Sequence, residues 1–462
     1  MRITIIYPCV GRIQGQEYIR SWQMEPLPAA YLAALIPDDI EVRFYDDRME
    51  PIPFGEQTDL VLITVETYTA KRAYQIASEY RLRGIRVVMG GYHATLVPYE
   101  VLEYADSVVV GQGEESLPLL IEDFKAKRMK RIYHSFGSAK IQDISPDRRI
   151  FSGKRYLDIC LIEATRGCRA QCDFCSITVF HKARHSHRCV EMLLKEVDSL
   201  RKSKKLFFFV DDNFTANVKF AKEFCRALIP LRIKWVGQAS ITLAQDQELM
   251  ELMQASGCQG VLVGFESLNI QNLNSMNKKF NYINIDFETA IKRFNEHHLR
   301  LYATFVFGYN HDVLEDFKRT VDFCMRNKIF IAAFNHLTPF PGTRLYAKLE
   351  REGRLLYEKW WLDDRYRYGD VPFRTAIPPD VIKRECIKAR REFYGIPSIF
   401  TRMFNWSNCG NLIMFNAYWF INFLLRKEAD QRVNYPIGDQ SFTNDLLKVN
   451  VGDREDALVS AE

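Results

Sequence analysis

The sequence lacks any block of like charge. Its 63 lysines and arginines are interspersed with 58 acidic residues, which leaves a net charge of only +5. A nucleic-acid partner held by charge alone is not expected from that distribution. The chain also lacks a secretion-signal core. The apolar stretch "ITIIY" at 3–7 is followed at once by Pro8, Cys9 and Gly11, too short for such a core and better suited to a first buried strand. The 11 cysteines show no even pairing framework. With no export signal, the reading is a reducing, cytoplasmic compartment. Cys9, Cys160, Cys225, Cys258 and Cys324 lie among apolar neighbours and read as small buried hydrophobes. A clean membrane span is missing too. The nearest candidate, "CGNLIMFNAYWFINFLL" at 409–425, is interrupted by Asn411, Asn416 and Asn422. Those amides argue for a buried or partner-facing helix. The alternative is an interfacial helix peripheral to a membrane, ending in Arg426 and Lys427.

What is present divides into regions. A chain of 462 residues exceeds one core and predicts two or three domains. Over residues 1–135, apolar bursts at 3–7, 42–46, 60–64, 86–91 and 107–113 alternate with amphipathic stretches such as 69–83 and 98–105. That rhythm predicts a Rossmann-like parallel sheet covered by helices. Gly90, Gly91, Gly111 and Gly113 fall at the carboxyl ends of the last two of these strands, the edge where open α/β sheets bind ligands. Residues 136–154 are polar and read as a linker.

Residues 155–345 repeat the rhythm six times, with strands expected at 161–165, 206–210, 233–238, 260–265, 301–307 and 331–336. The expected fold is an α/β partial (β/α)6 TIM barrel with chemistry at the loops after the strands. Residues 346–436 lose the rhythm and read as mostly helical, and 437–462 as a frayed tail. The aromatic stretch 358–374, with Trp360, Trp361, Tyr366 and Tyr368, reads as core packing or as a lining of the barrel mouth.

The stretch "RGCRAQCDFCS" at 166–176 places Cys168, Cys172 and Cys175 after the first barrel strand. Structural zinc prefers four ligands in paired knuckles, with His181, His185, His187 and Cys189 as the nearest fourth candidates. A [4Fe–4S] cluster explains a trio better. Three thiolates hold three irons and leave the fourth for a non-protein ligand.

This C-x3-C-x2-C loop, with Phe174 before its last cysteine, resembles the radical S-adenosylmethionine (SAM) superfamily. The stretches "GGYHATLVPYEVLEYADSVVVGQGEESLP" (90–118), "FFFVDDNF" (207–214), "GCQGVLVGFESL" (257–268) and "LTPFPGTRLY" (337–346) resemble its large subfamily with an N-terminal cobalamin (B12)-binding domain. That subfamily includes anaerobic ring cyclases and methylases of tetrapyrroles, hopanoids and antibiotics. The resemblance implies a cluster on the three cysteines and a SAM that is cleaved reductively to generate a radical on the substrate. By position, Phe174 would pack near adenine, and Asp211, Asp212, Glu266 and Ser267 would lie near SAM; for Asp212 a helix-capping role competes. A low-potential donor such as flavodoxin or ferredoxin is implied as partner.

The resemblance leaves cobalamin open. The loop after the first strand, "PCVGRIQGQEYIRSWQMEPLP" at 8–28, has no histidine; the first in the chain is His93. Ligation through the D-x-H-x-x-G motif is therefore excluded. Cobalamin would bind without a histidine beneath cobalt, against the turns at Gly90, Gly91, Gly111 and Gly113, with His93 as a contact or a satisfied loop histidine. The expected reaction is methyl transfer to an unactivated carbon of a small molecule, with the aromatic segment 409–425 hinting at an apolar one. Cobalamin-free cyclisation, rearrangement or aminocarboxypropyl transfer is the alternative, and a non-enzymatic iron–sulfur regulator a remote one.

Overall fold

The computed structural model describes residues 1–13, 15, 23–135, 144–410, 412–428 and 433–449. The first sheet contains β1 (Arg2–Tyr7), β2 (Glu41–Asp46), β3 (Leu60–Thr64), β4 (Arg86–Gly90), β5 (Ser107–Val110) and β6 (Ile132–His134). Their spatial order is β2-β1-β3-β4-β5-β6, with every neighbouring pair parallel. Ile3, Ile5, Val61, Leu62, Val87 and Val88 are all buried. Continuous apolar strands of this kind are what a sheet covered on both faces needs. Helices α1 (Leu27–Ala34), α2 (Ala70–Leu82), α3 (Tyr92–Leu96) and α4 (Gly113–Lys125) connect them. The helix expected at 98–105 is shorter, running only from Pro98 to Val101. Pro98 has no N–H to continue α3, so the chain starts a new turn there.

The second sheet holds β7 (Ile159–Ile162), β8 (Leu206–Phe209), β9 (Trp235–Ala239), β10 (Cys258–Glu266), β11 (Arg300–Phe307) and β12 (Ile331–His336). Its order is sequential, β12-β11-β10-β9-β8-β7, and all pairs are parallel. Strands in sequence order curl the sheet into a partial barrel, open between β7 and β12. Between them run α5 (Ser176–Phe180), α6 (Val190–Leu200), α7 (Val218–Leu228), α8 (Gln247–Ala255), α9 (Phe287–Glu296) and α10 (Leu314–Arg326). Three begin on polar caps. Asn217, Asp246 and Asp286 accept backbone N–H groups of Phe220, Leu249 and Thr289 at 3.2, 2.9 and 2.8 Å, satisfying donors that the first helical turn leaves free.

The barrel's inner face is an open cradle. Val236, Gln238, Leu262, Thr304 and Val306 are only half-buried, whereas their helix-facing neighbours Gly237, Val261, Val263, Leu301 and Phe305 are buried. A closed barrel fills its interior with side chains; this one keeps room for a ligand.

The stretch 358–374 is core packing: its two tryptophans and Tyr366 join the first domain, and Val371 and Phe373 join the barrel core. Trp360, Trp361 and Tyr366 share a buried cluster with Val61, Tyr74 and Met89. Trp361 donates its indole N–H to Glu100 Oε1 at 2.8 Å, where Tyr74 O–H also donates at 2.9 Å and His93 Nε2 lies at 3.1 Å. Lys359 adds a cation 3.1 Å from the other oxygen. Burial alone would raise the Glu100 carboxyl, but the His93, Trp361 and Lys359 partners bring it down to about 2. A carboxyl depressed in the folded state adds stability that is present above its unfolded value and lost as pH falls through the folded value. Glu100→Gln is therefore expected to lower stability by about 2 kcal/mol at neutral pH. Urea melts of the two proteins should converge as pH falls from about 4.5 towards about 2.

The C-terminal region supplies α11 (Pro379–Phe393), α12 (Ile396–Met403) and α13 (Leu412–Glu428). No described helix is long and apolar enough to cross a membrane. The start of the expected tail is packed instead. Gly438–Asp439 pairs in parallel with Gly11–Arg12, Asp439 lies 3.3 Å from the buried Arg72, and Val449 N–H donates to Glu103 O at 2.8 Å. Polarity misled the sequence reading there: the carboxylate of Asp439 serves a buried guanidinium. Residues 450–462, like 136–143 of the expected linker, lie outside the described residues.

Candidate active site

The three cysteines lie on an excursion after β7 that is closed at its base. Thr165–Arg166 pairs antiparallel with Ser186–His187. The turn at Gly167 has φ +79°, and a Cβ there would come within 2.1 Å of the Arg184 carbonyl oxygen. Only glycine permits that approach. Cys175 then begins α5, and Cys172 is buried while Cys168 and Cys175 are half-buried.

Asp211 and Asp212, at the end of β8, hold this loop through its backbone. Asp211 Oδ1 accepts the N–H groups of Ala164 and Thr165 at 2.7 and 2.8 Å. Asp212 Oδ2 accepts Gly167 N–H at 2.7 Å. Asp211 is wholly buried, and burial pushes its carboxyl well above the usual range. With no exposed surface, Asp211 acts here on the backbone of the cysteine loop. Asp212 remains half-buried, with burial raising its carboxyl to about 6. His181 Nε2 lies 3.5 Å from it. Burial, with Arg166 and His185 nearby, pushes that imidazole down to about 4. Asn213, which the sequence reading passed over, donates to Cys168 Sγ at 3.6 Å. Its place beside two assigned aspartates was the available signal.

Glu266 ends β10 at φ +64° and is ion-paired with Lys278. Lys278 also donates to Gly264 O at 3.2 Å. Burial raises the Cys172 thiol to about 12, and the Lys278 cation opposes that rise. Lys278 was not singled out from sequence, since nothing local marks a lysine that folds back onto Glu266. Ser267 Oγ accepts Asn269 N–H at 3.0 Å, making it a turn residue before a short helix. Phe174 is half-buried and packs against the barrel core.

At the carboxyl edge of the first sheet, Gly91 and Gly111 adopt positive φ. A Cβ would meet Val65 O at 3.0 Å in the first case and Ser135 O at 2.7 Å in the second. Thr95 ties the two turns together, donating to Gly91 O and accepting Gly111 N–H, each at 2.9 Å. Both glycines thus answer first to their own chain. Gly90 and Gly113 have ordinary space for a Cβ. His93 is fully buried, with Nδ1 3.2 Å from Thr67 Oγ1 and Nε2 on Glu100. It is therefore a satisfied core histidine and not a contact at the sheet edge: both ring nitrogens are already used.

The two edges face each other. Tyr92 of α3 packs on Phe180 of α5 with ring centroids 4.5 Å apart. Arg166, in the cysteine loop, pairs with Glu114 of α4 and with Glu163. Glu66, just beyond β3, has an exposed side chain, yet burial raises its carboxyl. Tyr302 on β11 is 36% exposed, and burial raises its phenol as well. A separate cleft between α10 and α11, lined by Lys318, Arg319, Asp322, Arg384 and Lys388, lies on the outer helical layer.

The donors fit the implied groups. Among the described residues, no three His, Cys, Asp or Glu side chains converge as a single metal ion would require. A cluster bonds each cysteine to a different iron, so its thiolates need not converge on one point. The cradle inside β9–β11 offers space for SAM beside the loop. At the facing edge, Thr64 Oγ1 is buried without a partner at the end of β3, a polar atom suited to a ligand on that edge.

Comparison with known proteins agrees with this arrangement. The radical SAM superfamily model matches residues 162–324, and the B12 binding domain model matches 22–121. The chain is 30% identical to a bacteriochlorophyllide d C-12(1)-methyltransferase of Chlorobaculum tepidum, over 87% of this chain and 88% of that protein. It is 28% identical to the same organism's bacteriochlorophyllide d C-8(2)-methyltransferase, over 84% and 89%. Its fold resembles that of TsrM, a radical SAM methyltransferase from Kitasatospora setae solved with cobalamin and a [4Fe–4S] cluster. The TM-score is 0.63 at 16% identity, over 93% of this chain and 99% of that one. Cysteine loop, cradle, facing sheet edge and relatives converge: the chain belongs to the radical SAM enzymes that carry an N-terminal B12-binding domain.

Proposed function

We propose that this enzyme methylates an unactivated carbon of an apolar small molecule, with a tetrapyrrole side chain as the first substrate to try. One observation carries the reading: the carboxyl edges of the two sheets meet, through Tyr92 on Phe180 and Arg166 on Glu114. The two bacteriochlorophyllide relatives support the substrate class. Bound together, the cluster, SAM and cobalamin supply one-electron cleavage of a carbon–sulfur bond and a methyl group for transfer.

The chain's own residues bind and orient. Cys168, Cys172 and Cys175 hold the cluster, while Asp211 and Asp212 fix the loop backbone that presents them. Asn213 donates to one sulfur and Lys278 sets a cation beside another. Glu266, held by Lys278, and Ser267 position SAM from the end of β10, with Phe174 packing behind it. The turns at Gly90, Gly91, Gly111 and Gly113 shape the edge that receives cobalamin, and the absence of a histidine at 8–28 leaves cobalt without an imidazole from that loop. The reading assigns residues 1–135 to cobalamin and 155–345 to SAM and cluster, joined by 136–154, with 346–436 as a mostly helical C-terminal region. A low-potential external donor, flavodoxin or ferredoxin in type, supplies the electron.

The test is anaerobic incubation of cluster- and cobalamin-reconstituted protein with reductant, trideuteromethyl-labelled SAM and a chlorophyllide. The expected result is stoichiometric cobalt and a product heavier by one labelled methyl group. Reductive SAM cleavage without bound cobalt or a methylated product would overturn the reading in favour of cyclisation or rearrangement.

A further inference from the structure

The C-terminal helices are amphipathic the wrong way round for water. On α13, Tyr418 and Asn422 are buried, while Leu412 and Phe420 are 76% and 70% exposed and Phe423 is also exposed. The buried amide is not idle: Asn422 accepts from Arg402 at 2.9 Å and donates to Tyr418 O at 2.9 Å. Arg402 in turn donates to the carbonyls of Ile329, Phe330 and Phe393. The polar residues of this region thus serve the interior, and its aromatic residues are left outside. On α12 and just after it, Phe400 and Phe404 are exposed with their rings 5.1 Å apart, and Trp406 is 75% exposed. Several large apolar side chains left exposed on neighbouring helices mark an interaction site.

The segment itself carries little negative charge. No aspartate or glutamate occurs from Ile396 through Lys427, and Glu428 is the first. Arg426 and Lys427 are exposed in the last turn of α13. Exposed Trp and Phe with two basic residues and Glu428 as the one carboxylate of the segment match the chemistry of an anionic lipid surface. No described helix can cross a bilayer, so the contact would be in the plane of the interface.

We propose that the face formed by α12, Trp406 and α13 docks this enzyme onto anionic membrane surfaces. The face lies outside the cysteine loop and both ligand edges, so the proposal stands apart from the reaction assigned above.

Flotation of the reconstituted full chain with vesicles tests it. One set is phosphatidylcholine alone; in the other, part of the lipid is phosphatidylglycerol. The protein is expected to float with the second set and to be released as salt rises. Phe404→Glu combined with Phe420→Glu should lower binding about tenfold or more. Reversal at Arg426 and Lys427 should lower it about fivefold or more, on anionic vesicles only. Both variants should melt like the parent, since the altered side chains are exposed. Quenching of tryptophan fluorescence by brominated lipid should occur in the parent and be lost in Trp406→Phe. A parent that stays with the soluble fraction for both vesicle sets would overturn the proposal. So would a parent that does not float but elutes as a dimer that Phe420→Glu converts to a monomer; the face would then be a self-interface.

Discussion

Replacing Cys168, Cys172 or Cys175 singly by alanine is expected to abolish reductive cleavage of SAM. Iron bound after anaerobic reconstitution should fall well below the roughly four per chain of an intact [4Fe–4S] cluster. The loss should be near total at each position. Each cysteine binds a different iron, and the loop holds no fourth thiol to replace a missing one: Cys189, the next in the chain, lies beyond the closing ribbon at Ser186–His187. The check is iron and sulfide content together with deoxyadenosine formation. A Cys168→Ala protein that still cleaves SAM would refute the assignment of the loop. The thermal midpoint should change little by comparison, because the loop base is tied by backbone pairs and by Asp211 rather than by the sulfurs.

The largest stability loss is expected at Asp211→Ala, about 3–5 kcal/mol. The substitution strips two buried N–H donors, those of Ala164 and Thr165, of their acceptor and leaves a void where the carboxyl was. Asp211→Asn should recover most of the loss. It keeps an acceptor oxygen at the same place, and burial already disfavours the charged form of the carboxyl. Urea melts give the stability. Cluster loading gives the second readout: the alanine variant should bind less iron although every cysteine is present, since the loop that presents them has lost its anchor. If alanine and asparagine variants melt like the parent, the anchoring role is refuted.

Much of this protein is legible residue by residue. Cys168, Cys172 and Cys175 lie within one short loop, so their spacing alone specifies how many corners of a cluster they can hold. The strands of the first sheet are legible because a sheet covered on both faces demands unbroken apolar runs, and Leu60–Thr64 supplies one. Helix starts are legible where Asn217, Asp246 and Asp286 stand ready to cap.

Other features depend on contacts between residues far apart in the chain. Lys278 reaches back to Glu266, Trp361 and His93 meet on Glu100, and Asp439 returns to Arg72. A local pattern records what a residue is, but not which distant group will neutralise it. His93 could be read as an edge contact or as a satisfied histidine until Glu100 and Thr67 were found to use both its nitrogens. Asp211 looked like a ligand to SAM until its burial showed that it holds the backbone. By itself the sequence determined the chemistry available, three thiols on a loop and two sheets with ligand edges. Only the tertiary structure decided that those edges face each other, because burial and long-range charge pairing are properties of the packed chain.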